Sequence, residues 1–105
     1  IMGHRHLSQA VLRAALRPQA AGLMQVQDGV EQPAPSRGLG FALLGRPPLD
    51  LLSGVAFGHG GSTGTLLAID PEQDLVVVFL TNRLGWDGHG RHLAINATVA
   101  GASAP

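Results

Sequence analysis

Residues 57–81 read FGHGGSTGTLLAIDPEQDLVVVFLT, and this stretch decides the fold of the chain. Two apolar runs, 63–69 and 75–81, flank a short polar segment, and the second run is rich in valine. Asp70 followed by Pro71 is an order that favours a type I turn. β-Branched residues fit the pleated surface of a sheet. The stretch therefore predicts an antiparallel hairpin of residues 63–69 and 75–81, closed at Pro71.

The N-terminal segment predicts one helix. Ser8 is an N-cap candidate, because its hydroxyl can accept a hydrogen bond from a free backbone N–H in the first turn. Pro18 ends the helix, since a proline disfavours α geometry at the residue before it. The apolar residues between them recur at helical spacing, as one stripe of Val11, Ala14 and Ala15 and an adjacent one of Leu12 and Leu16.

Residues 20–37 show no clear period, and 31–36 (EQPAPS) are typical of a loop. The apolar run 38–44 (GLGFALL) predicts a buried strand, which Gly45 and the following prolines end.

The C-terminal segment predicts a loop over 85–90 and a helix over 91–100. We expect Trp86 to pack this loop against the sheet. The helix would place four residues on one side, namely Leu93, Asn96, Ala97 and Ala100. The complete order of helix, three strands and helix predicts an α+β fold, an antiparallel sheet with flanking N- and C-terminal helices.

The composition is that of one small, apolar and neutral unit. With 105 residues, 45% hydrophobic and 13% charged, the chain has room for one domain or part of a larger one. Seven basic and seven acidic residues leave no electrostatic footprint for nucleic acid or an anionic membrane. The longest apolar run, 75–80, is far too short to span a bilayer, so we expect no membrane segment. The chain starts at Ile1 in mid-pattern, and we expect a truncated reading frame.

Three absent residue types restrict the chemistry. Without cysteine there is no disulfide, thiol nucleophile or thiolate metal site. Lysine and tyrosine are absent as well. The histidine pairs His4/His6 and His89/His92 lack the i, i+4 spacing and the acidic ligands of zinc enzymes. These histidines are therefore expected to be solvated loop residues rather than metal ligands. We expect no metal and no organic cofactor.

The glycine-rich segment 58–64 is open to four interpretations. On composition alone it is a flexible turn. A phosphate loop would need a lysine and a following helix, and the sequence has neither. The segment also matches G-x-S-x-G, the nucleophile elbow of α/β-hydrolases, with Ser62 as the nucleophile. That elbow needs a helix after the serine, whereas residues 65–69 predict a strand. The fourth interpretation rests on a family resemblance.

The order of motifs resembles the C-terminal part of serine β-lactamases, penicillin-binding proteins and their esterase relatives. The shared features are a helix start at Leu7-Ser8, the strand Gly38-Leu39-Gly40-Phe41, a His-x-Gly motif, a strand to Asp-Pro, and an apolar strand ending in Thr81-Asn82-Arg83. The resemblance covers residues 5–100, but only the terminal third of a typical member. It implies a partial β-lactamase/transpeptidase-like fold, with 1–105 as the incomplete C-terminal portion of such a domain.

In that family the third motif is Lys-Thr-Gly or a His-x-Gly variant, and His59-Gly60-Gly61 occupies its place here. The resemblance implies that His59 faces the catalytic cleft, where it orients the substrate or assists proton transfer. Imidazole suits this role because its pKa lies near neutrality. Gly60 and Gly61 would let the substrate lie along the strand. The backbone N–H of Ser62 would be one of two oxyanion-hole donors.

Two departures from the family pattern bear on activity. The Ser-x-x-Lys nucleophile motif needs a lysine and the second motif usually presents a tyrosine, and this chain has neither. Without an activated serine no acyl-enzyme forms, so we expect the isolated chain to be inactive.

The implied parent transfers the acyl group of a small-molecule or peptide amide or ester to water. Two alternatives stay open: a non-catalytic β-sheet interaction module, and an α/β-hydrolase fragment with Ser62 as nucleophile.

Overall fold

The computed structural model describes residues 6–45, 51–84 and 88–103. The described residues form two helices and two antiparallel sheets, so the predicted α+β class is confirmed. In chain order the elements are α1 (Gln9–Ala15), β1 (Met24–Gln27), β2 (Val30–Pro33), β3 (Ala42–Leu43), β4 (Phe57–Gly60), β5 (Leu66–Asp70), β6 (Leu75–Phe79) and α2 (Gly88–Ser103).

Helix α1 begins and ends as the sequence predicts. Ser8 is the N-cap, and its Oγ accepts a hydrogen bond from the backbone N–H of Val11 at 3.2 Å. The helix ends at Ala15, three residues before Pro18. The carbonyl of Ala15 accepts a hydrogen bond from the N–H of Leu39 at 2.7 Å, which attaches the end of the helix to the segment before β3.

The β1–β2 hairpin was not predicted, and the expected loop over 31–36 is wrong at residues 31–33. Asp28 and Gly29 form its turn, with φ angles of 52° and 78°. Two successive positive φ angles are typical of a type I′ turn, for which Asp-Gly is a preferred pair. That dipeptide was the missed signal, together with the alternation of apolar and polar residues in β1, which reads Met-Gln-Val-Gln.

The second sheet has the order β3-β4-β5-β6, and every neighbouring pair is antiparallel. The predicted hairpin is confirmed as β5 and β6, with shorter bounds than expected: β5 starts at Leu66 and β6 ends at Phe79. Residues 63–65 lie instead in the turn between β4 and β5, which form a second hairpin.

The strand predicted over 38–44 is wrong for most of its length, since only Ala42 and Leu43 pair with β4. The segment before them turns back on itself: the N–H of Gly38 donates to the carbonyl of Phe41 at 2.9 Å, and Gly40 has a φ of 84°.

Helix α2 begins at Gly88, so the predicted loop over 85–90 is wrong for its last three residues. The helix buries Ile95 and Val99, which are 1% and 2% exposed, whereas Leu93 on the predicted side is 59% exposed. One face of the sheet and the segment before β4 complete this core, with Leu52, Ala56, Leu66, Ala68 and Val77.

Three residues named in the sequence analysis cannot be checked against the structure. Trp86, His4 and the side chain of His89 lie outside the described part of the chain. Within the described part, no helix is both long enough and apolar enough to cross a bilayer.

Candidate active site

Strand β4 holds His59 and Gly60 at its C-terminal end, and Gly61 and Ser62 follow in the turn after it. Its first residue, Phe57, is buried and packs edge-on against Phe41, with ring centroids 5.2 Å apart. Gly58 follows, and a Cβ at this position would collide with the backbone carbonyl of Leu67 on β5. Glycine is therefore required at 58 by the close approach of β5. These two residues fix the strand, and His59 and Gly60 continue it into solvent.

One edge of β4 is open at His59 and Gly60. On one side both residues pair with β5, opposite Leu67 and Leu66. On the other side β3 pairs only with Phe57 and Gly58. If β3 extended two residues further toward its N-terminus in the same register, Phe41 and Gly40 would lie opposite His59 and Gly60. The turn at Gly40 instead leads the chain away from β4. Among the described residues, no strand covers this edge.

The side chain of His59 is exposed beside this edge. Its Nδ1 lies 2.6 Å from the carbonyl oxygen of Gly60. A carbonyl oxygen only accepts hydrogen bonds, so this contact places a proton on Nδ1. In the neutral ring Nε2 is then the atom that can accept a proton, and no described residue bonds to it.

Gly61 and Gly64 shape the turn that follows β4. The N–H of Gly61 donates to the carbonyl of Thr65 at 2.9 Å, and the N–H of Gly64 donates to the carbonyl of Gly61 at 3.0 Å. A Cβ at Gly61 would collide with Oγ1 of Thr65, so the threonine side chain occupies the space that this glycine leaves. Gly64 has a φ of 79°, which favours glycine.

Ser62 is exposed at the tip of this turn. Among the described residues its backbone N–H has no hydrogen-bond acceptor. The chain continues into β5 rather than into a helix. The strand–serine–helix geometry of a nucleophile elbow is therefore not formed around Ser62.

A second polar cluster lies at the far end of β5, and sequence analysis missed it. Asp70 is 1% exposed, and its carboxylate accepts from the N–H and Oγ of Ser53, both at 2.6 Å. It also accepts from Nε2 of Gln73 at 2.7 Å, and from the N–H groups of Glu72 and Gln73 at 3.1 and 3.3 Å. Burial alone would raise the pKa of Asp70, but the hydrogen bonds from Ser53 and Gln73 outweigh it and lower that pKa below its ordinary value.

This cluster fixes the segment that leads into β4. Nε2 of Gln73 donates to the carbonyl of Leu51 at 2.8 Å, and Oδ1 of Asn96 on α2 accepts from the N–H of Leu51 at 2.9 Å. The sequence signal for Asp70 was its position before Pro71, which indicated a turn but not the bond to Ser53.

The described residues offer no metal-binding site. Within the described ranges, no group of three or more histidine, aspartate or glutamate side chains could hold a metal ion.

Comparison with known proteins identifies the family. The Beta-lactamase family model matches residues 3–102. A crystal structure of a β-lactamase from Mycobacterium bovis matches with 30% sequence identity and a TM-score of 0.64. The match covers 91% of this chain and 36% of that one, so the chain spans about a third of that β-lactamase. No curated protein matches this chain. The family match extends over nearly all of the sequence, and the chain belongs to the β-lactamase family.

Proposed function

We propose that residues 1–105 are the C-terminal portion of a serine hydrolase domain that transfers the acyl group of an amide, ester or β-lactam to water. The single observation that supports this most strongly is the β4 edge at Gly60, which pairs with no other strand of the described residues and lies beside the exposed His59. An extended substrate can pair with such an edge through its own backbone.

In this proposal His59 orients the substrate or moves a proton at Nε2. The hydrogen bond from Nδ1 to the Gly60 carbonyl holds the ring in the tautomer that this requires. The backbone N–H of Ser62 is the oxyanion donor, and its lack of a protein acceptor among the described residues leaves it available. The nucleophile comes from the remainder of the domain, because this chain has no lysine for a Ser-x-x-Lys motif.

A chimera tests these roles. Residues 3–102 would replace the matching region of the M. bovis β-lactamase, and kcat/KM for nitrocefin would be measured. His59→Ala should lower kcat/KM about 10²-fold, as expected for loss of a general acid–base group. The matched control is His6→Ala, an exposed histidine outside the strand, which should leave kcat/KM unchanged. Equal effects of the two substitutions would contradict the role of His59.

Ser62 is tested by two substitutions in the same chimera. Ser62→Pro removes the backbone N–H and should cost about 10²–10³ in rate, the usual loss for one oxyanion donor. Ser62→Ala keeps the N–H and should retain activity. Loss of activity in Ser62→Ala would show that the hydroxyl is needed and would contradict a role of the backbone N–H alone. The melting temperature of each variant separates these effects from unfolding.

A non-catalytic interaction module is the second candidate, and the absence of lysine and tyrosine favours it. In that case the open β4 edge binds a segment of another protein. An inactive but folded chimera that retains the nucleophile of the M. bovis enzyme would support this alternative.

A further inference from the structure

The β1–β2 hairpin turns its apolar face toward water. Side chains alternate along a strand, so Met24 and Val26 of β1 lie on one face of the hairpin, where they are 59% and 69% exposed. The other face carries glutamines, of which Gln25 and Gln32 are half-buried, and Nε2 of Gln32 donates to Oε1 of Gln27 at 2.9 Å. An antiparallel sheet normally buries its apolar face and exposes its polar one. The hairpin has the reverse arrangement, which is typical of a binding surface.

The hairpin is also too small to be stable by itself. Its two strands form a separate sheet, and among the described residues they pack against no other helix or strand. An isolated two-stranded hairpin is marginally stable in water, and a stable sheet needs three or more strands. A further strand along one of its edges meets this need, so the pairing capacity of the two edges decides what can bind.

The outer edge of β1 is free to pair. The N–H of Ala34 donates to the carbonyl of Leu23 at 2.9 Å, so the backbone groups of Leu23 point toward β2. This direction alternates along an antiparallel strand, and the N–H and C=O groups of Met24 and Val26 therefore point away from β2. In the described part of the chain no backbone group bonds to them.

The outer edge of β2 differs, because Glu31 and Pro33 occupy its outward positions. Proline has no N–H to donate, and a charged side chain discourages pairing at an edge. Strand β1 reads Met-Gln-Val-Gln and has neither feature. Of the two edges, β1 is therefore the one that can accept another strand.

We propose that the outer edge of β1 pairs with the same edge of a second copy of this chain. The two β1 strands run antiparallel across a two-fold axis at Gln25 and join both hairpins into one sheet of four strands. Met24 of each copy then lies opposite Val26 of the other, and their outward N–H and C=O groups bond to each other. The same pairs bring the apolar side chains of both copies together on one face. The inference does not depend on the role proposed for His59.

The distribution of charge favours a second copy as the partner. The chain has zero formal net charge, so two copies do not repel each other at long range. In the proposed pairing the Glu31 side chains lie at opposite corners of the sheet, and each hairpin tip, with Asp28, is directed toward the base of the other hairpin. Exposed Arg17 and Arg37 flank that base, where the N–H of Gln19 donates to the Arg37 carbonyl at 2.7 Å. Opposite charges therefore approach each other.

Sedimentation equilibrium of the purified chain tests the dimer. The wild-type chain should dimerise reversibly, and Val26→Lys should raise the dissociation constant at least about tenfold, because it places a charge among the apolar pairs. The matched control is Val30→Lys. Val30 is 61% exposed in the same hairpin but lies on the glutamine face, so this variant should dimerise as the wild-type chain does. Hydrogen exchange of the amide protons checks that the hairpin is folded in both variants.

Disulfide cross-linking tests the register, since the chain has no cysteine of its own. At the two-fold axis Gln25 lies opposite its own copy, with Cα atoms about 4.5 Å apart, a separation that a disulfide spans. Gln25→Cys should therefore form a covalent dimer when oxidised glutathione is added. Gln27→Cys is the matched control and should stay uncross-linked, because its thiol lies opposite Leu23 of the other copy.

The proposal is overturned by a wild-type chain that stays monomeric at millimolar concentration. A dimer that Val26→Lys weakens no more than Val30→Lys does would place the contact at another surface and overturn it as well. If Val26→Lys unfolds the hairpin, the cross-linking pair decides: a covalent dimer of Gln25→Cys alone supports the proposal, and equal cross-linking of the two cysteine variants, or of neither, contradicts it.

Discussion

Replacing Asp70 with asparagine should destabilise the fold more than any surface substitution. Asparagine keeps the shape and one acceptor oxygen, but its amide group can no longer accept from the donors that face Oδ2. Those donors are the backbone N–H of Ser53 at 2.6 Å and Nε2 of Gln73 at 2.7 Å. Nε2 of Gln73 also donates to the Leu51 carbonyl, whereas the Ser53 N–H would be left without an acceptor.

The expected cost follows from these two bonds. A hydrogen bond to a charged group contributes about 1.5–3 kcal/mol, and an unsatisfied buried donor costs about 1–3 kcal/mol. We therefore expect Asp70→Asn to lower the free energy of unfolding by about 2–4 kcal/mol. Small domains are stable by about 5–15 kcal/mol, so this is a large share of the total. Urea denaturation followed by circular dichroism measures it.

Asp74→Asn is the matched control in the same turn. Asp74 is exposed and has a φ of 50°, a left-handed conformation that asparagine tolerates well. We expect its effect to stay within about 0.5 kcal/mol, as for most surface substitutions. An Asp70→Asn variant as stable as Asp74→Asn would refute the role given to the carboxylate.

The same substitution predicts a pH dependence. The pKa of Asp70 is lowered in the folded state, so its contribution to stability is fully present above its unfolded value of 3.8. It is lost as the pH falls from there through the folded pKa. The stabilities of wild-type chain and Asp70→Asn should therefore differ at neutral pH and converge in acid. A constant difference across this range would contradict the assignment.

Three further predictions use other features. Gly58→Ala should cost about 1–3 kcal/mol of stability, because the added methyl group collides with the Leu67 carbonyl, whereas Gly101→Ala in open space on α2 should not destabilise. Gly29→Ala should destabilise the β1–β2 hairpin by about 1–2 kcal/mol, because a φ of 78° is strained for alanine. Hydrogen exchange of the hairpin's amide protons measures this loss of stability. The isolated chain should hydrolyse neither nitrocefin nor p-nitrophenyl esters above buffer background; a burst of product abolished by Ser62→Ala would show that it has its own nucleophile.

Local sequence determined several features of this chain. The Ser8 cap, the β5–β6 hairpin and the α+β class follow from residues that interact with near neighbours, and the structure has them as predicted. The motif order around His59 also identified the family, which the match to residues 3–102 confirms. Even the missed β1–β2 hairpin had a local signal in Asp28-Gly29.

Tertiary structure alone decided the rest, because those features depend on residues far apart in the chain. The bond between Asp70 and Ser53 spans 17 positions, and the bond between Asn96 and Leu51 spans 45. The open edge at His59 exists because the chain turns away from β4 at Gly40. No sequence pattern near His59 predicts that turn. The buried side of α2 is likewise set by the sheet it packs on: Ile95 and Val99 face β6, while Leu93, equally apolar, faces solvent.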